Sequence, residues 1–247
     1  MYEKPTLAPR NPPELHRSMP VPRSAATTTP PATPERRRLN RKAVLTGAVE
    51  LADHLGSVEA LTIRKLADHL GVKPMSIYHH VPNKDEILDG MVDAVFAEIE
   101  LPERDGEWQA ELRRRAHSAR AALARHPWAT GMLDSRTNPG PATLTHHDAV
   151  IACLRASGFR PAEVSHTIAT VDAYVYGFAL QEAALPGETD DDLVGLADEL
   201  MAQFAASYPS LAWFTSEYVM APGYAFGDEF AFGLDLVLEG LASRLGD

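Results

Sequence analysis

Cysteine is almost absent from this 247-residue chain, in which Cys153 is the only one. A single thiol forms no disulfide within the chain and supplies no cysteine cluster for a metal, which excludes disulfide scaffolds and cysteine-type zinc modules. No apolar run reaches the roughly 20 residues that a membrane span needs. Residues 1–34 also lack the apolar stretch of a secretory signal. These absences favour a cytoplasmic protein without a membrane partner.

Positive charge is also scarce. The chain has 23 Lys and Arg residues but 34 Asp and Glu residues, so its net charge is −11. The balance is uneven along the chain. Residues 36–84 hold nine basic and four acidic residues, whereas residues 85–247 hold ten and 27. Salt screens charge beyond about 8–10 Å, so the basic segment acts on its own. A basic module before an acidic body predicts an anionic partner for the N-terminal third.

Residues 1–38 contain nine of the 19 prolines and no apolar periodicity. Such a segment buries too little apolar surface to offset its ordering entropy, and we expect it to be disordered. It ends in the basic run Arg36–Arg38. This arm either keeps the chain soluble or contacts the phosphates or minor groove of DNA.

From residue 39 onward, apolar residues recur at spacings of three and four, and no segment alternates like a strand. Asn40, Thr62 and Asn83 are suited to be N-caps, and Gly56 and Gly71 to end helices. The predicted helices span about 40–55, 62–70, 74–80, 83–100, 107–125, 127–134, 142–157, 161–184, 190–207 and 224–245. We therefore predict an all-α protein with a disordered arm at 1–38, a three-helix helix-turn-helix domain at 39–84 and a helical effector-binding and dimerisation domain at 85–247.

Residues 63–78 carry the pattern of a helix-turn-helix. Ala67 is the small residue where two helices cross, Gly71 permits a left-handed turn, and Ile77 packs on the first helix. The second helix then presents a donor-rich set, suited to base edges and phosphates, that comprises Lys73, Met75, Ser76, His79 and His80. An incidentally polar pair of surface helices is the alternative, which the basic charge of this module disfavours.

Residues 38–96 resemble the DNA-binding domain of the TetR family, through the stretches Arg38–Arg41, Leu61–Ala67 and Tyr78–Lys84. The resemblance implies that the helix from about Pro74 to His80 enters the major groove. It also implies that Arg64 reaches a guanine edge, while Thr62, Tyr78 and Lys84 hold phosphates. The family varies at the positions of Pro74, Met75 and Ser76 to set the operator sequence. The predicted DNA-binding residues are Thr62, Arg64, Lys73, Pro74, Met75, Ser76, Tyr78, His79 and Lys84.

A weaker resemblance continues to about residue 185, through Glu107–Gln109, Gly158–Phe159 and Gly177. It implies a homodimer built as a four-helix bundle from the helices at 161–184 and 224–245. The last helix carries a stripe of apolar and small residues that belongs either to the core or to this interface. The stripe is Phe226, Phe230, Gly233, Val237, Gly240 and Arg244.

Tetracycline-binding members of the family hold the drug as a metal chelate through a His and a Glu. The resemblance puts Gln181 at the position of the Glu, and Leu133 or Asp134 at that of the His. Without both ligands a magnesium–tetracycline complex binds poorly, so we expect a different effector. We also expect no cofactor and no metal, because the histidines of the chain lack the spacing of a zinc helix.

Several polar residues of the body are candidates for the effector site. Arg115 matches a polar pocket position of the family, and it either points inward or belongs to a solvated basic face, the commoner arrangement. Asp172 and Tyr176 lie one turn apart and either line the pocket or form a dimer contact. The candidate effector-binding residues are Arg115, Asp134, Asp172, Tyr176 and Gln181. A set of large apolar residues belongs either to an apolar cavity or to ordinary core. The set is Trp128, Met132, Met201, Phe204, Trp213, Phe214 and Tyr218.

These observations predict a sequence-specific DNA-binding transcriptional regulator. We expect a repressor that leaves a palindromic operator when a small-molecule effector binds, and the helix at 83–100 is the natural lever because it touches both halves. The alternative is a dimeric regulator without small-molecule gating. The sequence has no nucleophile–base pair and no glycine-rich phosphate loop, so we do not expect an enzyme.

Overall fold

The first helices begin and end where their capping residues predict. The computed structural model describes residues 39–133, 135–185 and 190–245, so the arm at 1–38 lies outside the described residues. The first three helices are α1 (Arg41–Leu55), α2 (Ile63–Leu70) and α3 (Pro74–Tyr78). Asn40 and Thr62 accept hydrogen bonds from backbone N–H groups three residues ahead, at 2.8 and 3.2 Å. Gly56 and Gly71 end α1 and α2 in the left-handed region, at φ of 64° and 65°.

The remaining helices continue the all-α pattern, and the described residues contain no strand. They are α4 (Lys84–Phe96), α5 (Trp108–Arg125), α6 (Pro141–Ala156), α7 (Pro161–Ala183), α8 (Asp190–Phe204), α9 (Pro209–Phe214) and α10 (Glu229–Leu245). Short 3-10 turns occupy Pro127–Ala129 and Phe226–Asp228, and a π-helical turn, Thr215–Val219, continues α9. The all-α prediction is confirmed.

Two segments differ most from the helices predicted above, and in addition α4 ends at Phe96 and α10 begins at Glu229. The helix expected at 127–134 is only a three-residue 3-10 turn, because most backbone hydrogen bonds here span three residues and tighten the chain into successive turns. The region 209–219 is helical although no helix was predicted there. Pro209 is the first residue of α9, where a missing N–H costs nothing, so it starts a helix rather than ending one.

The core of the body forms where α5 packs along α7, with α6 packed against both helices and α10 against α7. Leu112 on α5, Val171 on α7 and Phe230 on α10 are almost fully buried. Each such side chain contributes about 1.5–3 kcal/mol of hydrophobic stabilisation. Helix α4 packs against both α1 and α6, so it is the element shared by the helix-turn-helix and the body. Among the described residues, no helix is long and apolar enough to cross a bilayer.

Candidate nucleic-acid interface and effector site

Helices α2 and α3 form the helix-turn-helix with the packing that the sequence predicts. Leu66, Ala67 and Ile77 are fully buried at the crossing. Gly71 turns the chain between the two helices with a backbone conformation that costs other residues about 1 kcal/mol or more. The buried side of α3 fixes its orientation, so its other side is presented to solvent as a rigid surface.

The outward side of this unit carries free cations and two large exposed side chains. Arg64, Lys73 and Lys84 are exposed and form no ion pair within the described part of the chain. Met75 is 68% exposed and Tyr78 is 41% exposed. Unpaired guanidinium and ammonium groups on a rigid surface are suited to phosphates and base edges.

The other predicted DNA-binding residues lie on the same unit. Pro74 is the first residue of α3, Ser76 is half-buried within it, and His79 follows it in an exposed position. The Thr62 oxygen caps α2 by accepting from the Lys65 N–H, which leaves the hydroxyl proton free to donate. All nine residues lie at the surface, and Ser76 is the least exposed of them.

A junction between the helix-turn-helix and the body is built on Asp53 of α1. Its Oδ1 lies 2.8 Å from His126 Nδ1 and accepts a 2.6 Å hydrogen bond from the Trp128 indole. His126 is 6% exposed, and its other ring nitrogen lies 3.1 Å from Glu98. Burial raises the pKa of Glu98, but hydrogen bonds from Arg125 and His126 outweigh it and hold that pKa below its usual range. Sequence reasoning missed this junction because its partners are more than 70 residues apart.

A second junction holds α4 against the start of α6 and the segment before it. Asp85, Asp89 and Asp93 recur every four residues on one side of α4. Arg136 Nε donates to Asp89 at 2.6 Å, and Arg136 Nη2 lies 3.4 Å from Asp85. Asp93 accepts from the backbone N–H and the hydroxyl of Thr143, at 2.8 and 3.0 Å. We name these three carboxylates and their two partners the α4 ladder.

Three buried polar side chains meet at the centre of the body, one from each of α5, α6 and α7. Arg115 is 2% exposed, His146 is fully buried and Asp172 is 7% exposed. Arg115 Nε donates to His146 Nε2 at 2.9 Å, and Arg115 Nη1 lies 2.7 Å from Asp172 Oδ1. The expectation of a solvated basic face is therefore wrong for Arg115, because a carboxylate from α7 compensates its charge inside the protein. We call these residues the buried triad.

The chemistry of Arg115 fixes the protonation state of His146. Arg115 can only donate, so Nε2 of His146 must accept, and the imidazole is neutral with its proton on Nδ1. Burial, with the nearby positive charges of Arg115 and His147, lowers the pKa of His146 to about 3. Its Nδ1 has no hydrogen-bond partner among the described residues. Sequence reasoning considered this histidine only as a metal ligand, because its partner on α5 is 31 residues away.

A cleft of about 600 Å³ opens between α6 and α7 next to the triad. It is lined by both Asp172 and Tyr176, and their role in binding an effector stays a prediction. Gln181 is exposed nine residues beyond Asp172, about half a turn away around α7, and does not line the cleft. Leu133 is a buried apolar residue, and Asp134 lies outside the described residues. The described residues contain no group of three or more His, Cys, Asp or Glu that could hold a metal.

The aromatic residues near the C-terminus do not fill a core. Trp213 is 67% exposed, Phe214 is 44% exposed and Tyr218 is 47% exposed, whereas Trp128 is buried at the Asp53 junction. For the first three residues, the assignment to an enclosed cavity or core is wrong in the single chain.

Two glycines of α10, Gly233 and Gly240, lie in different surroundings. At Gly233 an added Cβ would lie 2.3 Å from the Tyr174 hydroxyl, so this glycine permits α7 and α10 of the same chain to pack closely. At Gly240 an added Cβ would meet nothing within 4 Å. Gly240 lines a groove of about 870 Å³ between α7 and α10, and Leu236 beside it is 56% exposed. Phe230 is fully buried, so the predicted stripe is divided between core and surface.

Comparison with known proteins gives the same assignment for both halves of the chain. Residues 44–91 match the family of bacterial regulatory proteins named tetR, and residues 101–245 match the tetracyclin repressor-like C-terminal domain. The transcriptional repressor DrrR1 of Streptomyces coeruleorubidus is 35% identical over 218 residues, which are 83% of this chain and 79% of that protein. An HTH-type transcriptional regulator of Saccharopolyspora erythraea is 34% identical over 210 residues, which are 84% of this chain and 86% of that protein.

A solved structure has the same helical architecture. The Streptomyces coelicolor TetR family protein ActR, crystallised in complex with (S)-DNPA, superposes with a TM-score of 0.64 at 25% identity. The match covers 84% of this chain and 98% of ActR. From its helix-turn-helix, its helical body and these relatives, this chain belongs to the TetR family of DNA-binding transcriptional regulators and is not an enzyme.

Proposed function

We propose that this regulator is a cytoplasmic repressor that binds a palindromic operator as a homodimer and leaves it when a small-molecule effector binds the body. The observation that carries the proposal is the buried triad beside the open cleft between α6 and α7. Charged groups are rarely buried without a function or a strong partner, and clefts with converging polar groups are the usual sites of small ligands. The relative DrrR1 is a repressor, and ActR was crystallised with a small molecule.

In this proposal each predicted domain has its own function. Residues 39–84 bind DNA, and residues 85–247 bind the effector and form the dimer. In this proposal α3 enters the major groove, Arg64 contacts a guanine edge, and Thr62, Tyr78 and Lys84 hold phosphates. Lys73, Pro74, Met75, Ser76 and His79 supply the remaining contacts and set the operator sequence. The exposure of these residues and the absence of described ion pairs at Arg64 and Lys84 support these roles.

The surface shared by α7 and α10 supports the dimer. Leu180 on α7 is 63% exposed, and Phe232 and Leu236 on α10 are 67% and 56% exposed. Leu236 also lines the groove at Gly240 with Val237 and Leu241. Large apolar side chains that remain exposed on α7 and α10 are unfavourable in water. Pairing two copies through these helices buries them and sets the two α3 helices at a fixed separation. An operator palindrome requires that separation to be about 34–36 Å.

Helix α4 supports a route from the cleft to the DNA. The Phe96 ring, at the end of α4, lies 5.2 Å from the ring of His146, a member of the triad. The α4 ladder ties α4 to Arg136 and Thr143. His126 contacts both Asp53 and Glu98, which follows α4 in the chain. An effector that favours a different position of α4 shifts the population away from the DNA-binding form. Such couplings amount to about 1–3 kcal/mol.

The experiment is a fluorescence-anisotropy titration of the full chain against the palindrome in the DNA upstream of its own gene. It is run at two salt concentrations and then in the presence of a library of natural products. We expect two-fold-symmetric binding that falls with salt and that one class of compound reverses. Tight binding that no compound disturbs would instead indicate a regulator without small-molecule gating. Binding without sequence preference would contradict the operator role.

A further inference from the structure

His126 lies where the DNA-binding half meets the body, and a carboxylate faces each of its ring nitrogens. Its Nδ1 lies 2.8 Å from Asp53 Oδ1 on α1, and its Nε2 lies 3.1 Å from Glu98 Oε1, just after α4. Only 6% of the residue is exposed, so each nitrogen depends on its protein partner rather than on water. One buried ring therefore connects two elements that are adjacent only in the folded chain.

The two contacts require a charged ring. An ionised carboxylate only accepts hydrogen bonds, and a neutral imidazole has one N–H group and one bare nitrogen. The Trp128 indole also donates to Asp53 Oδ1, so that oxygen acts as an acceptor. Both contacts of His126 are therefore hydrogen bonds only when Nδ1 and Nε2 each carry a proton. When the ring releases one proton to water, a nitrogen lone pair faces a carboxylate and one of the two connections is lost.

The charges around the ring favour its imidazolium form. Asp53 and Glu98 carry two negative charges, and Arg125 at the end of α5 supplies one positive charge through a 2.6 Å contact with Glu98. A charged His126 balances this group, whereas a neutral ring leaves one negative charge uncompensated. Trp128, in the turn that follows, is uncharged, and the two ring centroids lie 6.0 Å apart. Helix α7 also packs on that turn, but none of its residues forms an ion pair with the ring in the described part of the chain.

Building on the proposed operator binding, we propose that His126 is a proton-dependent tie between α1 and the body, and that loss of its second ring proton weakens operator binding. Helix α1 packs on α2, so its attachment determines how the helix-turn-helix sits on the body. A palindrome needs two recognition helices at a fixed separation. A helix-turn-helix that is held by fewer contacts samples more orientations, and DNA binding must then offset the entropy of ordering it. Histidine is the side chain whose ordinary charge change lies nearest to physiological pH, which makes the tie sensitive in that range.

The first measurement follows the tie in the full chain without DNA. Nitrogen NMR spectra of isotope-labelled histidine show which ring nitrogens of His126 carry a proton, and the His126→Gln variant identifies its signals. The Trp128 indole proton reports on the Asp53 contact through its exchange with water, measured relative to the exposed Trp213. Between about pH 5.5 and 8.5, we expect His126 to lose one proton and the protection of the Trp128 proton to fall at least about tenfold at the same midpoint. A ring that keeps one charge state over this range, or protection that does not follow it, would overturn the inference.

The second measurement is operator affinity by fluorescence anisotropy at low and high pH. From about pH 6 to 8.5, the affinity of the unaltered chain should fall at least about threefold more than that of His126→Gln, whose amide takes up no proton. His54→Gln removes an exposed histidine next to Asp53 and is the matched control, which should behave like the unaltered chain. His79 and His80 of the helix-turn-helix are present in all three proteins, so their own pH effect cancels. Equal pH dependence of the unaltered chain and His126→Gln would overturn the inference.

A second variant keeps the test decisive if His126→Gln does not fold. Glu98→Gln removes one of the two negative charges that favour the imidazolium form. In this variant, the proton loss of His126 and the fall in Trp128 protection should move together to lower pH. A midpoint that does not move would contradict the tie.

The two measurements separate this inference from the proposed function. A common midpoint for His126 and Trp128, with operator affinity that falls as the ring loses its proton, supports both. Operator binding without a common midpoint upholds the operator role and overturns the tie. A common midpoint in a protein that binds no palindrome contradicts the operator role, and the NMR titration alone then establishes the tie.

Discussion

His126 of the body and Asp53 of α1 lie 2.8 Å apart, with the histidine buried and the carboxylate partly exposed. The Trp128 indole donates a hydrogen bond to the same oxygen of Asp53. Two buried rings, those of His126 and Trp128, therefore contact one carboxylate oxygen. Both rings follow directly on α5, the helix that carries Arg115. The position of α1 is thereby tied to the end of the helix that carries Arg115 of the buried triad.

Asp53→Ala is expected to reduce the free energy of unfolding by about 1–3 kcal/mol, because it leaves the Trp128 N–H and the His126 ring without their acceptor. Urea denaturation measures the change. Glu50→Ala is the matched control on the same helix, since the Glu50–His69 contact is long and exposed and should contribute less than about 0.5 kcal/mol. Equal effects of the two variants would show that the Asp53 junction adds no stability.

Arg115→Met should lower the free energy of unfolding by about 3–5 kcal/mol, because it leaves the buried Asp172 carboxylate without its counter-charge. Adding Asp172→Leu should restore much of the loss, and a double-mutant cycle in urea measures the coupling. The neighbouring Arg113 forms an equally short but half-exposed pair with Asp235. Arg113→Met should therefore cost less than about 1 kcal/mol. The prediction fails if both substitutions cost the same.

The free energy of unfolding should fall as the pH is lowered from about 6.5 toward 3. Burial and the charge of Arg115 lower the pKa of His146 to about 3, from the 6.5 of an ordinary histidine. Between those values the unfolded chain takes up a proton that the folded chain refuses, so acid favours unfolding with a slope approaching about 1.4 kcal/mol per pH unit. Urea titrations at about pH 7 and pH 5 should give a smaller loss for His146→Phe than for the unaltered chain. Parallel losses would contradict a neutral buried His146.

Arg64→Ala should weaken operator binding by about 1–3 kcal/mol and relax the preference at one base pair. Random DNA should be affected much less, because a base contact does not contribute there. Anisotropy titrations on operator and random duplexes measure both. Arg104→Ala removes an exposed charge outside the helix-turn-helix and should leave the preference unchanged. Equal losses on both duplexes would assign Arg64 to a phosphate instead.

Gly240→Ala and Gly233→Ala should act in opposite directions on the fold of the subunit. Alanine at 240 meets nothing in the same chain and gains up to about 1 kcal/mol in helix propensity. Alanine at 233 must displace the Tyr174 hydroxyl, which donates to the Phe230 carbonyl at 2.9 Å, so it should destabilise the subunit. In sedimentation experiments only Gly240→Ala should weaken the dimer without loss of folding. If the Gly240→Ala variant dimerises like the unaltered chain, Gly240 does not lie in the dimer interface.

The local structure of the DNA-binding half could be predicted because its signals are local. Asn40, Thr62 and Asn83 accept backbone hydrogen bonds three residues ahead, and Gly71 makes the left-handed turn that the pattern requires. Pro209 shows the limit of such reasoning, since proline both interrupts a helix and starts one.

The effector region could be predicted only in part. Asp172 and Tyr176 could be grouped because they lie one turn apart on the same helix, and both line the α6–α7 cleft. The direction of Arg115 depends on a carboxylate 57 residues away. His146 has no sequence signal for its role, because a histidine on an apolar helix has the same pattern whether or not an arginine faces it. Tertiary packing decides such positions.

The even spacing of the α4 ladder constrains how α4 can move. Its carboxylates recur every four residues, about 6 Å apart along the helix axis. Arg136 contacts both Asp85 and Asp89, and Thr143 holds Asp93 through two hydrogen bonds. An axial shift of α4 that brings Asp85 closer to Arg136 moves Asp89 away from it and also disturbs the Thr143 contacts, so the ladder favours one axial position of α4.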